Sequence, residues 1–251
     1  MNRLLLFLLF SLSTGLLCAQ EMNVLLKEAD NLEKQQKGQE ALEKYKQVLL
    51  IDPANLTALV KSAEINTSLG NALTDKNSKR LYFETALSFA TRAFKTDSLK
   101  ADASYAMAMA SGKMTEIETD NKKIVGYVKD VKFFASKAIS INPNHAKANY
   151  TLGKWHYEMA NLSGVKKIAV KLFYGGLPEG SMDAAIAYME KCKSLDPYFV
   201  PNYFDLAKAY KDNRQPAQAI EILNKLVKLP TRTLDDAAIK AEGAKLLASM
   251  E

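Results

Sequence analysis

Four stretches of the chain repeat one hydrophobic pattern. Ala41, Tyr45 and Val48; Ala86, Ala90 and Ala93; Val131, Ala135 and Ala138; and Ala185, Met189 and Cys192 all follow an i, i+4, i+7 spacing. That spacing sets three small or apolar side chains on one face of a helix. Each stretch runs into a fixed slot at Pro53, Ser98, Pro143 and Pro197, in the phrases VLLIDPAN, AFKTDSLK, AISINPNH and CKSLDPYF. A proline there stops one helix or opens the next. Beyond every slot a second helical pattern carries a small residue at the same offset, Ala63, Ala108, Gly153 and Ala207. Small residues at those places let a partner helix approach closely.

A self-similar pattern of paired helices implies a stacked array, in which each pair buries its apolar face against its neighbours. The segments YTLGKWHYEMA with AAIAYMEKCKSLDP, YFDLAKAY with QPAQAIEILNKL, and LLKEADNLEKQQKGQEALEKYKQVLLIDPAN resemble the tetratricopeptide repeat. The expected fold is therefore all-α: a single domain over 22–250, with units at about 22–55, 56–100, 101–145, 146–199 and 200–230. The slots lie 45, 45 and 54 residues apart, more than a standard unit. The extra residues fall between the two helices of units two, three and four. In the first two cases they lengthen the helices. In the fourth unit VKKIAVKLFYGG forms an apolar and basic amphipathic stretch, read as an inserted helix near 165–176 and stopped by Gly175, Gly176 and Pro178. Ser181 reads as the N-cap of the helix that follows. Thr233 with Asp236 resembles a capping box, which opens a terminal capping helix over 233–250.

The first twenty residues, MNRLLLFLLFSLSTGLLCAQ, have a different pattern. Arg3 precedes an apolar stretch of fourteen residues from Leu4 to Leu17, and Ala19-Gln20 follows as a cleavage point. The stretch is short for a membrane span, and the order of parts is that of a secretory signal peptide over 1–19. An uncleaved anchor and an acylated Cys18 are the alternatives, the second disfavoured by Leu17 where a small residue is expected. Export into the periplasm or envelope of a bacterium, with cleavage near Ala19, is the expectation. Loss of the leader lowers the net charge from +6 to +5 and leaves Cys192 as the one thiol, so no internal disulfide can form.

The long insertions narrow the resemblance. KAISINPNHAKANYTLGKWHYEMANLS, KKIAVKLFYGGLPEGSMDAAIAYMEKCKSLDP and LPTRTLDDAAIKAEGAKLL, within Ala101 to Leu247, resemble the repeat domain of the regulator of microtubule dynamics family. That resemblance implies the repeat architecture. It brings with it links to microtubules and to contacts between organelles, and in one member phospholipid binding by the repeat domain. An exported protein meets no microtubules, so that partner is not expected here.

Composition adds exclusions. Two histidines and two cysteines are few for a metal enzyme. GxxxxGK, GxGxxG, GxSxG and HExxH are all absent. His145 and His156 lie in different contexts; His156 and Trp155 fit packing positions, and Cys192 sits on a packing face as an inert thiol. The pairs Lys122-Lys123 and Lys166-Lys167 lack the interleaved aromatics of a base-stacking platform, so nucleic acid is not expected. The expectation is no enzyme, no cofactor and no metal.

What remains is the concave surface lined by the first helix of each unit. The register leaves Tyr105, Met109, Tyr150, Lys154, Tyr157, Phe204, Lys208 and Lys211 facing it, an aromatic and cationic mixture suited to a protein or peptide partner. Glu64, Met109, Lys154 and Lys208 stand where a carboxylate-clamp repeat needs asparagine, which excludes chaperone-tail binding. The alternative is a lipid or amphipath carrier that uses the insertion, with Lys166, Lys167, Phe173 and Tyr174 against the ligand.

Overall fold

The computed structural model describes residues 20–164 and 175–250. Eleven helices account for the described architecture. They are α1 (20–34), α2 (Gly38–Ile51), α3 (Leu56–Asn71), α4 (Lys76–Thr96), α5 (Ala101–Ile117), α6 (Asn121–Ile141), α7 (Ala146–Ala160), α8 (Met182–Leu195), α9 (Val200–Asp212), α10 (Pro216–Leu226) and α11 (Asp236–Ala248). They pack as the pairs α1/α2, α3/α4, α5/α6, α7/α8 and α9/α10, each stacked on the next, with α11 against α9 and α10. The first helices α3, α5, α7 and α9 also touch one another along the inner side.

The hydrophobic spacing holds in three dimensions. All twelve residues of the four triplets are buried, as are the small residues Ala63, Ala108, Gly153 and Ala207. Tyr45 and Phe83 are fully buried among them, and burial of side chains of that size stabilises by about 1.5–3 kcal/mol each. The extra residues of units two and three lengthen helices as expected: α4 and α6 each have 21 residues, against 14 in α2 and α8.

Local chemistry sets the boundaries. Asn55, Asp75, Asp120, His145 and Ser181 cap their helices by accepting from the backbone N–H groups of Ala58, Ser78, Lys122 with Lys123, Ala148 and Ala184. Gly175 and Gly176 have φ of 74° and 84°, a left-handed pair that suits glycine. The inserted helix expected near 165–176 falls for the most part outside the described residues.

The last helix begins later than its sequence suggests. It opens at Asp236, not Thr233. The carboxylate of Asp236 accepts from the N–H groups of Arg232 and Thr233 and from the Thr233 hydroxyl at 2.6–2.9 Å. Thr233 thus donates to the acid and does not cap the helix itself, and residues 233–235 remain a turn. Among the described residues no helix is long and apolar enough to cross a membrane.

Candidate functional site

The inner face carries a chain of ion pairs that runs from unit to unit. In the first two units the Tyr45 hydroxyl lies between Asp30 and Glu33, at 2.7 and 2.5 Å. Glu33 holds Lys61 at 3.0 Å, Lys61 lies 3.7 Å from Glu64, and Glu64 accepts from Lys147 of α7 at 2.5 Å. Burial pushes the Glu64 carboxyl up, but Lys147 and Lys61 outweigh it and hold the group below its usual range.

His145 ends this part of the chain. Its Nδ1 accepts from the Ala148 N–H at 3.0 Å, so its Nε2–H is the group that meets Asp102 at 3.0 Å. The same arrangement depresses the Asp102 carboxyl.

A second cluster joins α7 to α9. Tyr150 donates to Asp205 at 2.8 Å and Tyr157 donates to Asp212 at 2.7 Å. Both pairs are 55 residues apart, so they form two parallel rungs, two helical turns from each other. Lys154 and Lys208 each reach Asp205 at 3.1 Å. Burial raises the Asp205 carboxyl, yet the two ammonium groups and Tyr150 bring it down to about 2. Lys208 also lies over the rings of Tyr157 and Phe204 at 5.2 and 5.3 Å.

These contacts place the candidates read from sequence. Tyr150, Lys154, Tyr157, Phe204 and Lys208 meet around Asp205. Tyr105 and Met109 belong to the other end, where the Tyr105 hydroxyl is 3.4 Å from the Met109 sulfur and its ring packs on His145 at 5.0 Å. Lys211 is exposed on α9. Lys166, Lys167, Phe173 and Tyr174 lie outside the described residues. Lys154 and Lys208 share the one carboxylate of Asp205, which offsets one of their two charges. The acids that complete the network, Glu33, Glu64, Asp102 and Asp205, were not among the sequence candidates. Their one signal was register: Glu64 stands in the slot that Lys154 and Lys208 occupy in later units.

Between α3, α5 and α7 the inner face opens into a cavity of about 410 Å³. Leu56, Val60 and Tyr105 give it apolar walls; Lys61, Glu64, Asp102 and Lys147 line it with charge, and Asp196 from the α8–α9 turn closes its far side. Among the described residues no group of histidine, cysteine and carboxylates is placed to hold a metal ion.

Comparison with known proteins agrees with this architecture. The chain overlays a tetratricopeptide repeat protein of Thermus thermophilus with a TM-score of 0.65 at 15% identity, covering 89% of this chain and 99% of that one. Pseudomonas aeruginosa PilF overlays with a TM-score of 0.53 at 13% identity, covering 93% and 90%. In sequence, regulator of microtubule dynamics protein 1 of Bos taurus is 24% identical over 229 residues, 90% of this chain and 71% of that protein. Protein 2 of Homo sapiens is 26% identical over 179 residues, 71% of this chain, and protein 3 of Xenopus laevis is 27% identical over 224 residues, 86% of this chain. The chain spans less than half the length of those two relatives, 43% and 47%. The sequence pattern shared by regulator of microtubule dynamics proteins 1-3 matches residues 25–251, nearly all of the repeat array, and this chain belongs to that family.

Proposed function

We propose that the chain is a non-enzymatic scaffold that holds a segment of a partner protein in the cavity between α3, α5 and α7. The observation that carries this reading is the cavity's composition. It joins apolar walls to charged groups already fixed by one another, so an entering segment meets preorganised partners at little ordering cost. A repeat fold that leaves an open cavity along its inner helices favours binding over catalysis.

Export is part of the proposal and rests on Arg3, the Leu4–Leu17 stretch and Ala19. The microtubule role in the relatives' names stays with those proteins. N-terminal sequencing of the protein from its own host should read Gln20 first; Met1 would reject cleavage near Ala19, and recovery of the protein with the cytoplasmic fraction would reject export.

A photo-crosslinking residue at Thr57, exposed on the cavity rim, tests the partner site. Defined protein adducts are expected from position 57 and not from exposed Glu242 on α11. Equal adducts from both positions, or none from Thr57, reject the cavity as the site.

A further inference from the structure

The positive charge of this protein is concentrated on two helices. Each of α4 and α6 carries five lysines or arginines against a single acid, Glu84 or Asp130. The second helices of the other units are balanced: Glu40 and Glu43 face Lys44 and Lys46 in α2, Asp183 and Glu190 face Lys191 and Lys193 in α8, and Glu221 faces Lys225 in α10. The excess on α4 and α6 is larger than the net +6 of the whole chain. These are the two helices that the extra residues of units two and three have lengthened.

A groove lies between them on the outer face. The two helices meet at one end, where Phe94 and Phe134 pack edge to face at 5.1 Å. Away from that contact a cavity of about 740 Å³ opens, with Leu87, Met114 and Tyr127 as its apolar lining. Arg80, Arg92 and Lys95 line the α4 wall with Glu84, and Lys123 lines the α6 wall beside Glu118 of the α5–α6 turn, four cations against two acids. The α4 residues that face it run from Arg80 to Lys95, about 22 Å of helix at 1.5 Å per residue.

The cations here are oriented and only partly neutralised. Arg92 donates to the Pro53 carbonyl at 3.1 Å and Arg80 donates to the Ile117 carbonyl. Carbonyl acceptors fix a guanidinium without cancelling its charge. Glu84 pairs with Arg80 at 3.5 Å and Glu118 with Lys123 at 3.8 Å, while Arg92 and Lys95 have no carboxylate partner among the described residues. On the inner face Lys61 and Lys147 each hold a carboxylate at 3.0 and 2.5 Å, and Lys154 and Lys208 share Asp205 at 3.1 Å.

We infer that the α4–α6 groove is a second docking surface, and that it takes an acidic amphipathic helix from a protein partner. Charge complementarity selects the acid. The apolar lining selects a segment with an apolar side, and the length of the α4 wall matches about four helical turns. A flat membrane surface would touch the crests of α4 and α6 and leave that lining empty. This surface is independent of the inner cavity.

Fluorescence anisotropy with a labelled peptide of about 15 residues, built from Ala, Leu and Glu with leucines along one face, tests the assignment. The Glu peptide should bind and weaken with salt, and its Lys-for-Glu counterpart should not bind. Arg92→Glu with Lys95→Glu should weaken binding roughly tenfold or more, as should Lys123→Glu from the opposite wall. Lys208→Ala on the inner face should leave binding unchanged. Thermal unfolding confirms that each variant is folded, and having one variant on each wall keeps the test intact if one unfolds. The inference is overturned if the Glu peptide fails to bind the parent protein, if the Lys peptide binds equally, or if neither wall variant weakens binding. Tighter binding of duplex DNA or phosphatidylglycerol vesicles through the same residues also overturns it.

Discussion

Asn71 donates from Nδ2 to Asp235 Oδ2 at 3.0 Å, across 164 residues of chain. The contact ties the end of α3 to the turn before α11, so the second unit touches the far end of the array. Gln36, in the α1–α2 turn, donates to the Thr231 carbonyl at 3.2 Å. Leu234 packs so close to Gly38 that a β-carbon there would lie 2.8 Å from it. From the same turn Arg232 reaches Asp196 at 3.6 Å and lies over the Tyr198 ring. The superhelix therefore closes on itself, and the residue that bounds the far side of the inner cavity is held by the closing turn.

Asp235 makes this closure sensitive to pH. Burial raises its carboxyl above the ordinary range, against the hydrogen bonds from Asn71 and Ser68 that lower it. A carboxyl raised in the folded state binds its proton more tightly folded than unfolded, so this group favours folding less as pH rises through its folded value. Asp235→Asn keeps an acceptor for Asn71 and removes the buried charge. The expected outcome is a higher Tm near pH 7, with the gain gone near pH 3, where both forms are neutral. Differential scanning calorimetry at the two pH values checks it, and a lower Tm at neutral pH contradicts it.

Asp205 has the opposite sign. Its carboxyl is held at about 2 by Lys154 and Lys208, below the ordinary value of about 3.9. Its stabilisation is complete above the unfolded value and is lost as pH falls from about 4 toward 2, worth roughly 2–3 kcal/mol for a shift of that size. Asp205→Asn leaves the half-buried Lys154 and Lys208 without their shared counter-charge, an expected loss of about 2–3 kcal/mol at neutral pH. Urea unfolding should show this loss together with a flatter acid limb. A variant as stable as the parent contradicts the role of the pair.

The periodicity in the sequence specified which face of each helix is buried, and the triplet from Ala185 to Cys192 and the small residue Gly153 lie where that spacing puts them. Apolar spacing reports on one helix and its immediate partner. It carries no information on the superhelical twist that decides which inner residues of different units meet. Lys147 and Glu64 are 83 residues apart, and nothing local marks them as a pair. Asp205 was missed for the same reason, since its partners Tyr150 and Lys154 lie in the preceding unit. The groove between α4 and α6 was half legible. Lys122-Lys123 of α6 was visible as a pair, but the alignment of Lys123 with Arg80, Arg92 and Lys95 across a groove needs the two long helices side by side.

Gly153 separates close packing from backbone entropy. A β-carbon there would meet Met189 Cγ at 2.9 Å and the Ala185 carbonyl at 3.0 Å, and a backbone carbonyl cannot swing away. Gly153→Ala should force α7 from α8 and lower stability by about 1–3 kcal/mol. Gly126, within α6, has nothing within 4 Å of the same added atom. Gly126→Ala should raise stability by about 0.4–1 kcal/mol, because alanine has less backbone freedom to lose. Chemical denaturation of the two variants checks both signs, and loss in both or gain in both contradicts the assignment.

Cys192 tests the packing face from the side of chemistry. It is fully buried on α8, and burial, with Asp196 adding to it, pushes its thiol up to about 12. Only the thiolate attacks a disulfide reagent, and an ordinary cysteine is about one quarter ionised near pH 8. At about 12 the ionised fraction near pH 8 falls roughly a thousandfold or more, before access is considered. A protein beginning at Gln20, in which Cys192 is the one cysteine, should therefore resist dithiobisnitrobenzoate when folded and react within seconds in denaturant. Cys192→Ala keeps an apolar group at this position and should cost less stability than Cys192→Ser, whose hydroxyl would be buried without a partner. Rapid labelling of the folded protein, or equal stability of the serine and alanine variants, would place this side chain at a surface and not in the seam between helices.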